Sequence, residues 1–68
     1  MLSIVVNGAP HMCRDAHPTV ADLIRELALS GKRIAVERNG EIVPKSRYAD
    51  SPLAAGDTLE IIAAVGGG

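Results

Sequence analysis

The hydrophobic and polar positions of the chain alternate as in strands over several short segments and follow a helical repeat over one. Residues 2–6 form an apolar run that predicts a strand. Asn7-Gly8 comes next and favours a type I′ hairpin turn, because both residues tolerate positive φ. We expect the return strand over about residues 11–14, since Pro10 makes its start irregular. The even-length loop then sets two faces, with Ile4, Val6 and Cys13 toward the core and Val5 and Met12 on the other side.

A helix is predicted after Pro18. Thr19 suits the N-cap position, and Asp22, three residues later, can return a hydrogen bond in a capping box. The apolar positions that follow share one helix face: Val20, Leu23, Ile24, Leu27 and Ala28. Gly31 is expected to end the helix, because glycine readily adopts the left-handed conformation of a C-terminal cap.

A second hairpin is predicted around Asn39-Gly40, another two-residue turn signal. It pairs residues 34–38 with residues 41–43, and Pro44 ends the second strand because it has no N–H for a ladder. This register sets two cross-strand pairs, Val36 with Val43 on the buried face and Arg38 with Glu41 as a charge pair at the tip.

The last third of the chain contains one irregular stretch, one turn and one strand. Residues 45–52 are polar and have room for a short helical turn, anchored by Tyr48 and Leu53. Ala55-Gly56-Asp57 predicts a turn. Residues 58–64 predict the final strand, whose alternation places Leu59, Ile61 and Ala63 on one face.

These elements predict an α+β domain with a mixed sheet of four to five strands and one helix packed on one face. The first and last strands are the most apolar, so we expect them side by side and parallel at the sheet centre. A right-handed helical crossover between them gives the β-grasp, or ubiquitin-like, fold. The sheet's other face stays open, and Val5, Ala35 and Ile62 are expected there between Glu37 and Glu60. This surface is interpreted either as a docking site or as ordinary apolar exposure.

Size and charge narrow the class of protein. A chain of 68 residues holds one domain, here assigned to residues 1–65 with a tail at 66–68. A net charge of −1 and a single aromatic residue argue against nucleic acid as a partner. No apolar run approaches a membrane span, and one cysteine cannot form an internal disulfide. We therefore expect a cytoplasmic protein that is monomeric when it is not bound to a partner.

The chain ends in three consecutive glycines, so the functional group at its tip is the carboxylate of Gly68. Three extended residues reach roughly 10 Å, enough to carry that carboxylate into a partner's active site. Glycine also fits a channel too narrow for a Cβ. The alternative is an inert terminal linker.

Three segments resemble the ThiS family of sulfur carrier proteins: VERNGEIVP at residues 36–44, Gly56-Asp57 before the last strand, and Val65-Gly66-Gly67-Gly68 at the end. The chain departs from that pattern at Tyr48, where tryptophan is common, and at Lys45, where arginine is expected. The resemblance implies that an E1-like adenylating enzyme uses Mg·ATP to join the Gly68 carboxylate to AMP. A persulfide sulfur donor then displaces AMP, and the resulting thiocarboxylate supplies thiazole synthase during thiamin assembly.

The same resemblance implies that Val65, Gly66 and Gly67 occupy the partner's tunnel and that the chain binds no cofactor of its own. Arg38 joins Val5, Ala35 and Ile62 as a predicted docking residue. Three other functions stay open: the small subunit of molybdopterin synthase, a ubiquitin-like modifier of lysines, and an interaction domain with an inert tail. The sequence shows no catalytic triad or carboxylate pair, so we expect a protein cosubstrate and not an enzyme.

Other reactive side chains are assigned structural or surface roles. Cys13 faces inward without an adjacent base, which favours a buried apolar role over a persulfide carrier. His11 and His17 lack the spacing of a structural zinc site, so no metal ligand is assigned. A local positive excess in the middle third is interpreted as a solvated face or as a surface that steers an acidic partner; it comprises Lys32, Arg33, Arg38, Lys45 and Arg47.

Overall fold

The computed structural model describes residues 1–63, which form five strands, one α-helix and one 3₁₀ helix. The elements in chain order are β1 (Leu2–Val6), β2 (Ala9–Cys13), α1 (Val20–Glu26), β3 (Ile34–Arg38), β4 (Glu41–Val43), the 3₁₀ helix (Lys45–Asp50) and β5 (Thr58–Ala63). The predicted domain boundary at residue 65, the tail and the last strand residue, Ala64, lie outside the described residues.

The five strands form one mixed sheet in the order β2-β1-β5-β3-β4. β1 and β5 are parallel neighbours at its centre, and the other pairs are antiparallel. The predicted α+β class, the β-grasp arrangement and the central parallel pair are therefore confirmed. α1 covers one face, and the buried core between helix and sheet consists of Ile4, Cys13, Val20, Leu23, Ile24, Val36, Val43, Leu53, Leu59 and Ile61.

β2 begins at Ala9, two residues earlier than predicted, and includes Pro10. Pro10 lies opposite Val5, whose N–H points away from β2 and donates to the Asp57 carbonyl at 2.9 Å. The Val5–Pro10 position is therefore a non-hydrogen-bonded pair of the ladder, where the missing N–H of proline costs nothing. Because β2 is an edge strand, the proline also limits pairing with other chains.

The helix ends earlier than predicted, and the prediction that Gly31 caps it is wrong. Ala28 takes the left-handed position with φ 61°, and the N–H of Leu29 donates to the Ile24 carbonyl at 2.9 Å, the bond of a Schellman motif. In a continuous helix Leu29 would lie on the side opposite Val20. The early turn brings Leu29 back against the core. Gly31, with φ 79°, belongs to the turn that follows.

The second hairpin has the predicted register, with Val36 opposite Val43 and Arg38 opposite Glu41. The predicted charge pair between Arg38 and Glu41 is not among the ion pairs within residues 1–63. Arg38 Nε instead donates to Asp57 Oδ2 at 2.8 Å. Asp57 is 7% exposed, so its carboxylate gains more from a cation than the exposed Glu41 does.

Candidate functional site

β5 occupies the centre of the sheet and leads directly into the residues that carry the predicted chemistry. Leu59 is fully buried within it, and its last described residue, Ala63, pairs with Ile34. Val65, Gly66, Gly67 and Gly68, the predicted tail and reactive carboxylate, lie outside the described residues. The structure therefore defines the strand that precedes the tail in the chain.

The side chain of Asn7 extends the pairing of β5 beyond the point where β1 ends. Its Nδ2 donates to the Ile61 carbonyl at 3.1 Å, and its Oδ1 accepts from the Ile61 N–H at 2.8 Å. A carboxamide offers the same donor and acceptor as a peptide group, so Asn7 replaces the next residue of β1 in the ladder. From the sequence, Asn7 was predicted only as a turn residue. Its contact with Ile61, 54 residues later in the chain, has no local sequence signal.

Asp57 holds the start of β5 against the β3–β4 hairpin. Its carboxylate accepts from Arg38 Nε, Asn39 Nδ2 and the Ala54 N–H at 2.8, 3.1 and 2.8 Å. Burial alone raises the pKa of this carboxyl, but these three hydrogen bonds and the Arg38 charge outweigh it and lower the pKa below its usual value. From the sequence, Asp57 was assigned to a turn and to a family motif, but its hydrogen bonds to the hairpin were not predicted.

The open face of the sheet contains three of the predicted docking residues. Ala35 and Ile62 are exposed and directly paired, whereas Val5 is half-buried. Two further exposed apolar side chains share this face: Met12 (53% exposed) and Ile42 (75%). Arg38 does not lie there, because it follows Val36 by two residues and shares its face.

Two carboxylates lie opposite each other within this open face. Glu37 pairs with Glu60 between β3 and β5, and Ile42 is the partner of Glu37 on the other side. Like charges directly opposite each other destabilise a sheet. The surface is thus apolar with a negative centre, a combination that fits a partner with apolar and basic groups.

Three of the five basic residues singled out from the sequence meet beside the end of β5. Lys32, Arg33 and Lys45, together with Arg25, line an open groove of about 560 Å³ whose apolar wall includes Ile34. Arg38 and Arg47 line a different depression next to β4. The predicted positive region is therefore divided between two surfaces.

Cys13 is fully buried, as predicted, on the core face of β2. Burial raises the pKa of its thiol, and the carboxylates of Glu26 and Asp15 raise it further. The fold also brings Glu26 next to His11, with His11 Nε2 2.8 Å from Glu26 Oε1. His17 is exposed and takes no part in this cluster.

α1 has seven residues and the 3₁₀ helix has six. Both fall far short of the length that an apolar helix needs to span a bilayer. Residues 1–63 thus contain no membrane-spanning helix.

Comparison with solved structures and curated proteins supports one relationship. The crystal structure of the thiamine biosynthesis protein ThiS from Geobacter metallireducens superposes with a TM-score of 0.83 at 28% identity, covering 98% of this chain and all of that one. The sulfur carrier protein ThiS of Bacillus subtilis is 44% identical over 63 residues, which cover 93% of this chain and 96% of that protein.

A longer protein also matches. The thiazole synthase of Paramagnetospirillum magneticum is 46% identical over 67 residues, and this chain spans 20% of its length. The model of the ThiS family matches residues 4–68, which include the predicted tail as well as the β-grasp scaffold. The chain therefore belongs to the ThiS family.

Proposed function

We propose that this protein is a sulfur carrier whose C-terminal glycine, Gly68, is adenylated and then converted to a thiocarboxylate that supplies sulfur for the thiazole ring of thiamin. One observation carries the proposal: the ThiS family match runs from the scaffold through residue 68. A β-grasp scaffold whose central strand leads into that tail supports it. Residues 1–65 serve as the folded domain and residues 66–68 as the reactive extension.

The chemistry follows from the poor reactivity of a carboxylate. An E1-like enzyme uses ATP and Mg²⁺ to form the acyl adenylate and release pyrophosphate. A persulfide sulfur then attacks the acyl carbon and AMP leaves, after which a thiol cleaves the S–S bond and the thiocarboxylate remains. The carrier needs no cofactor of its own, because the partner binds the nucleotide and excludes water from the adenylate.

The folded domain has two roles in this proposal. It presents the tail to the partner enzyme, and it provides the surface that the partner recognises. The hydrogen bonds of Asn7 and Asp57 hold β5 to the neighbouring strands. A partner that binds the sheet therefore also positions the residues that follow Ala63. The open face around Ala35 and Ile62 is the surface we assign to docking of the activating enzyme. Thiazole synthase is the proposed acceptor, and the matching fifth of a protein of that name supports this choice.

The test combines the purified full chain with its E1-like enzyme, a persulfide donor and Mg·ATP. Pyrophosphate release should depend on Gly68, and the intact mass should then rise by the difference between sulfur and oxygen. Gly67→Val should fold normally yet release no pyrophosphate, because its branched side chain blocks the tunnel. Ser46→Val is the matched control, since it adds the same side chain at an exposed position.

Two outcomes would reject the proposal. Pyrophosphate release that persists after deletion of Gly68 would exclude the terminal carboxylate as the reacting group. Lysine adducts in place of the sulfur mass shift would identify a covalent modifier. A carrier that is sulfurated but serves as the small subunit of molybdopterin synthase, and does not supply thiazole synthase, would retain the chemistry and overturn the proposed acceptor.

A further inference from the structure

We propose that His11, Cys13 and Glu26 bind one thiophilic divalent cation, Zn²⁺ in the first place, between β2 and the end of α1. The proposal is independent of the sulfur-carrier function, because it uses none of the tail residues. It starts from a geometric fact: one imidazole nitrogen, one thiol sulfur and one carboxylate oxygen lie within 4.8 Å of one another.

The secondary structure directs all three side chains to one point. His11 and Cys13 are two residues apart on β2, so they project from the same face of the strand. Glu26 is the last residue of α1, which packs on that face. His11 and Cys13 can therefore bind one ion together from β2, and Glu26 can bind the same ion from the end of α1.

The spacing suits a tetrahedral zinc ion. Zinc bonds of roughly 2.0–2.3 Å to nitrogen, oxygen and sulfur place ligand atoms roughly 3.3–3.7 Å apart. His11 Nε2 and Glu26 Oε1 are 2.8 Å apart, slightly closer than in a zinc site, and no two of the three ligand atoms are more than 4.8 Å apart. Small side-chain rotations convert the contact into a coordination site without movement of β2 or α1.

The surroundings of the three ligands also fit a metal. The second carboxylate oxygen, Glu26 Oε2, accepts the Arg14 N–H at 3.2 Å, which orients Oε1 toward His11 as an outer-shell contact does in metal sites. The side chains of His11 and Glu26 are 24% and 23% exposed, whereas Cys13 is fully buried. An ion thus has an entry path, and water fills the fourth position.

The chemical types of the three ligand atoms determine which cation the site favours. A thiolate with an imidazole favours zinc or a related transition metal, whereas Mg²⁺ and Ca²⁺ prefer oxygen ligands throughout. The site lies far along the sheet from Ala63, the end of β5, because His11 is level with Ile4, before β5 begins. The role we infer is a clamp that fixes the edge strand β2 to the helix.

The test is a titration of the full chain with Co²⁺, whose d–d and thiolate charge-transfer absorption reports tetrahedral sulfur coordination. We expect saturation at one equivalent, displacement by Zn²⁺, and a higher melting temperature with Zn²⁺ bound. Glu26→Gln should weaken binding roughly tenfold or more. His17→Gln, which changes the exposed histidine outside the cluster, should bind as the wild type does.

Cys13→Ala separates this site from adventitious binding. It should abolish the charge-transfer band, because that band requires the thiolate. Absence of the bands in the wild type at equimolar cobalt, or unchanged binding in Glu26→Gln, would overturn the proposal. Should Cys13→Ala fail to fold, Glu26→Gln decides the question alone, since its side chain is partly exposed and outside the packed core.

Discussion

Replacement of Asp57 by alanine should destabilise the domain more than any other single change to a charged residue within residues 1–63. The side chain is 9% exposed and joins the turn between β3 and β4 to the loop that precedes β5. It accepts hydrogen bonds from Arg38, Asn39 and the Ala54 N–H. Alanine leaves all three donors without this acceptor at the start of β5.

The magnitude follows from the environment of each donor. Net contributions are about 1 kcal/mol for a neutral hydrogen bond and roughly 1.5–3 kcal/mol for one to a charged group. Arg38 is 35% exposed and Asn39 is exposed, so water replaces part of what they lose. We therefore expect a loss of about 3 kcal/mol in total. A domain of this size has only about 3–10 kcal/mol of stability, and its melting temperature should fall by roughly 12–24 °C.

Urea denaturation followed by circular dichroism at neutral pH measures this loss directly. Asp50→Ala is the matched control, because it removes an exposed aspartate of the 3₁₀ helix and should change stability by less than about 0.5 kcal/mol. Asp57→Asn retains one acceptor oxygen and should be intermediate. A value for Asp57→Ala within 0.5 kcal/mol of wild type would refute the assignment of Asp57 as the anchor of β5.

Three further outcomes are expected. Ala28→Gly should raise stability by about 1 kcal/mol, because an L residue in the left-handed region is strained; a lower melting temperature in a thermal scan would contradict the cap assignment. The lowered pKa of Asp57 means that its stabilisation is present above the unfolded pKa of about 3.9 and is lost as pH falls through the folded value. Acid titration of stability should therefore be shallower in Asp57→Asn than in wild type, and equal slopes would disprove the linkage. Ile62→Lys should leave the melting temperature nearly unchanged, since Ile62 is 58% exposed and lies next to the Glu37–Glu60 pair. It should reduce kcat/KM for adenylation roughly fivefold or more, and an unchanged kcat/KM would exclude the open face as the docking surface.

The parts of the fold that were predicted from the sequence depend on strong local signals. Asn7 and Asn39 both have positive φ, near 50°, as the Asn-Gly turns require. Each turn fixes the register of its hairpin, and register fixes which side chains face the core. The burial of Val36 against Val43 and of Cys13 beneath α1 follows from these two turns.

Where the prediction failed, tertiary packing overruled a local preference. The apolar repeat of the helix continues to Ala28, and Gly31 is the better left-handed residue, so local propensity favours the longer helix. The chain turns earlier because Leu27 and Leu29 then both pack against the core. Arg38 was assigned to Glu41 for a similar reason: strand register reveals cross-strand neighbours but not a buried carboxylate 19 residues away.

The two groups of residues that the sequence did not reveal share a physical origin. Asn7 reaches Ile61, and Glu26 reaches His11 and Cys13, only because β1, β2, α1 and β5 pack as one unit.

The same packing keeps the thiol of Cys13 apart from the sulfur transfer proposed for the tail. In the proposed mechanism an acyl adenylate at Gly68 would react with any accessible thiol, but Cys13 is fully buried on the core face of β2. A carrier built this way keeps its own cysteine from competing with the persulfide, and that protection requires only that β2 stay packed against α1.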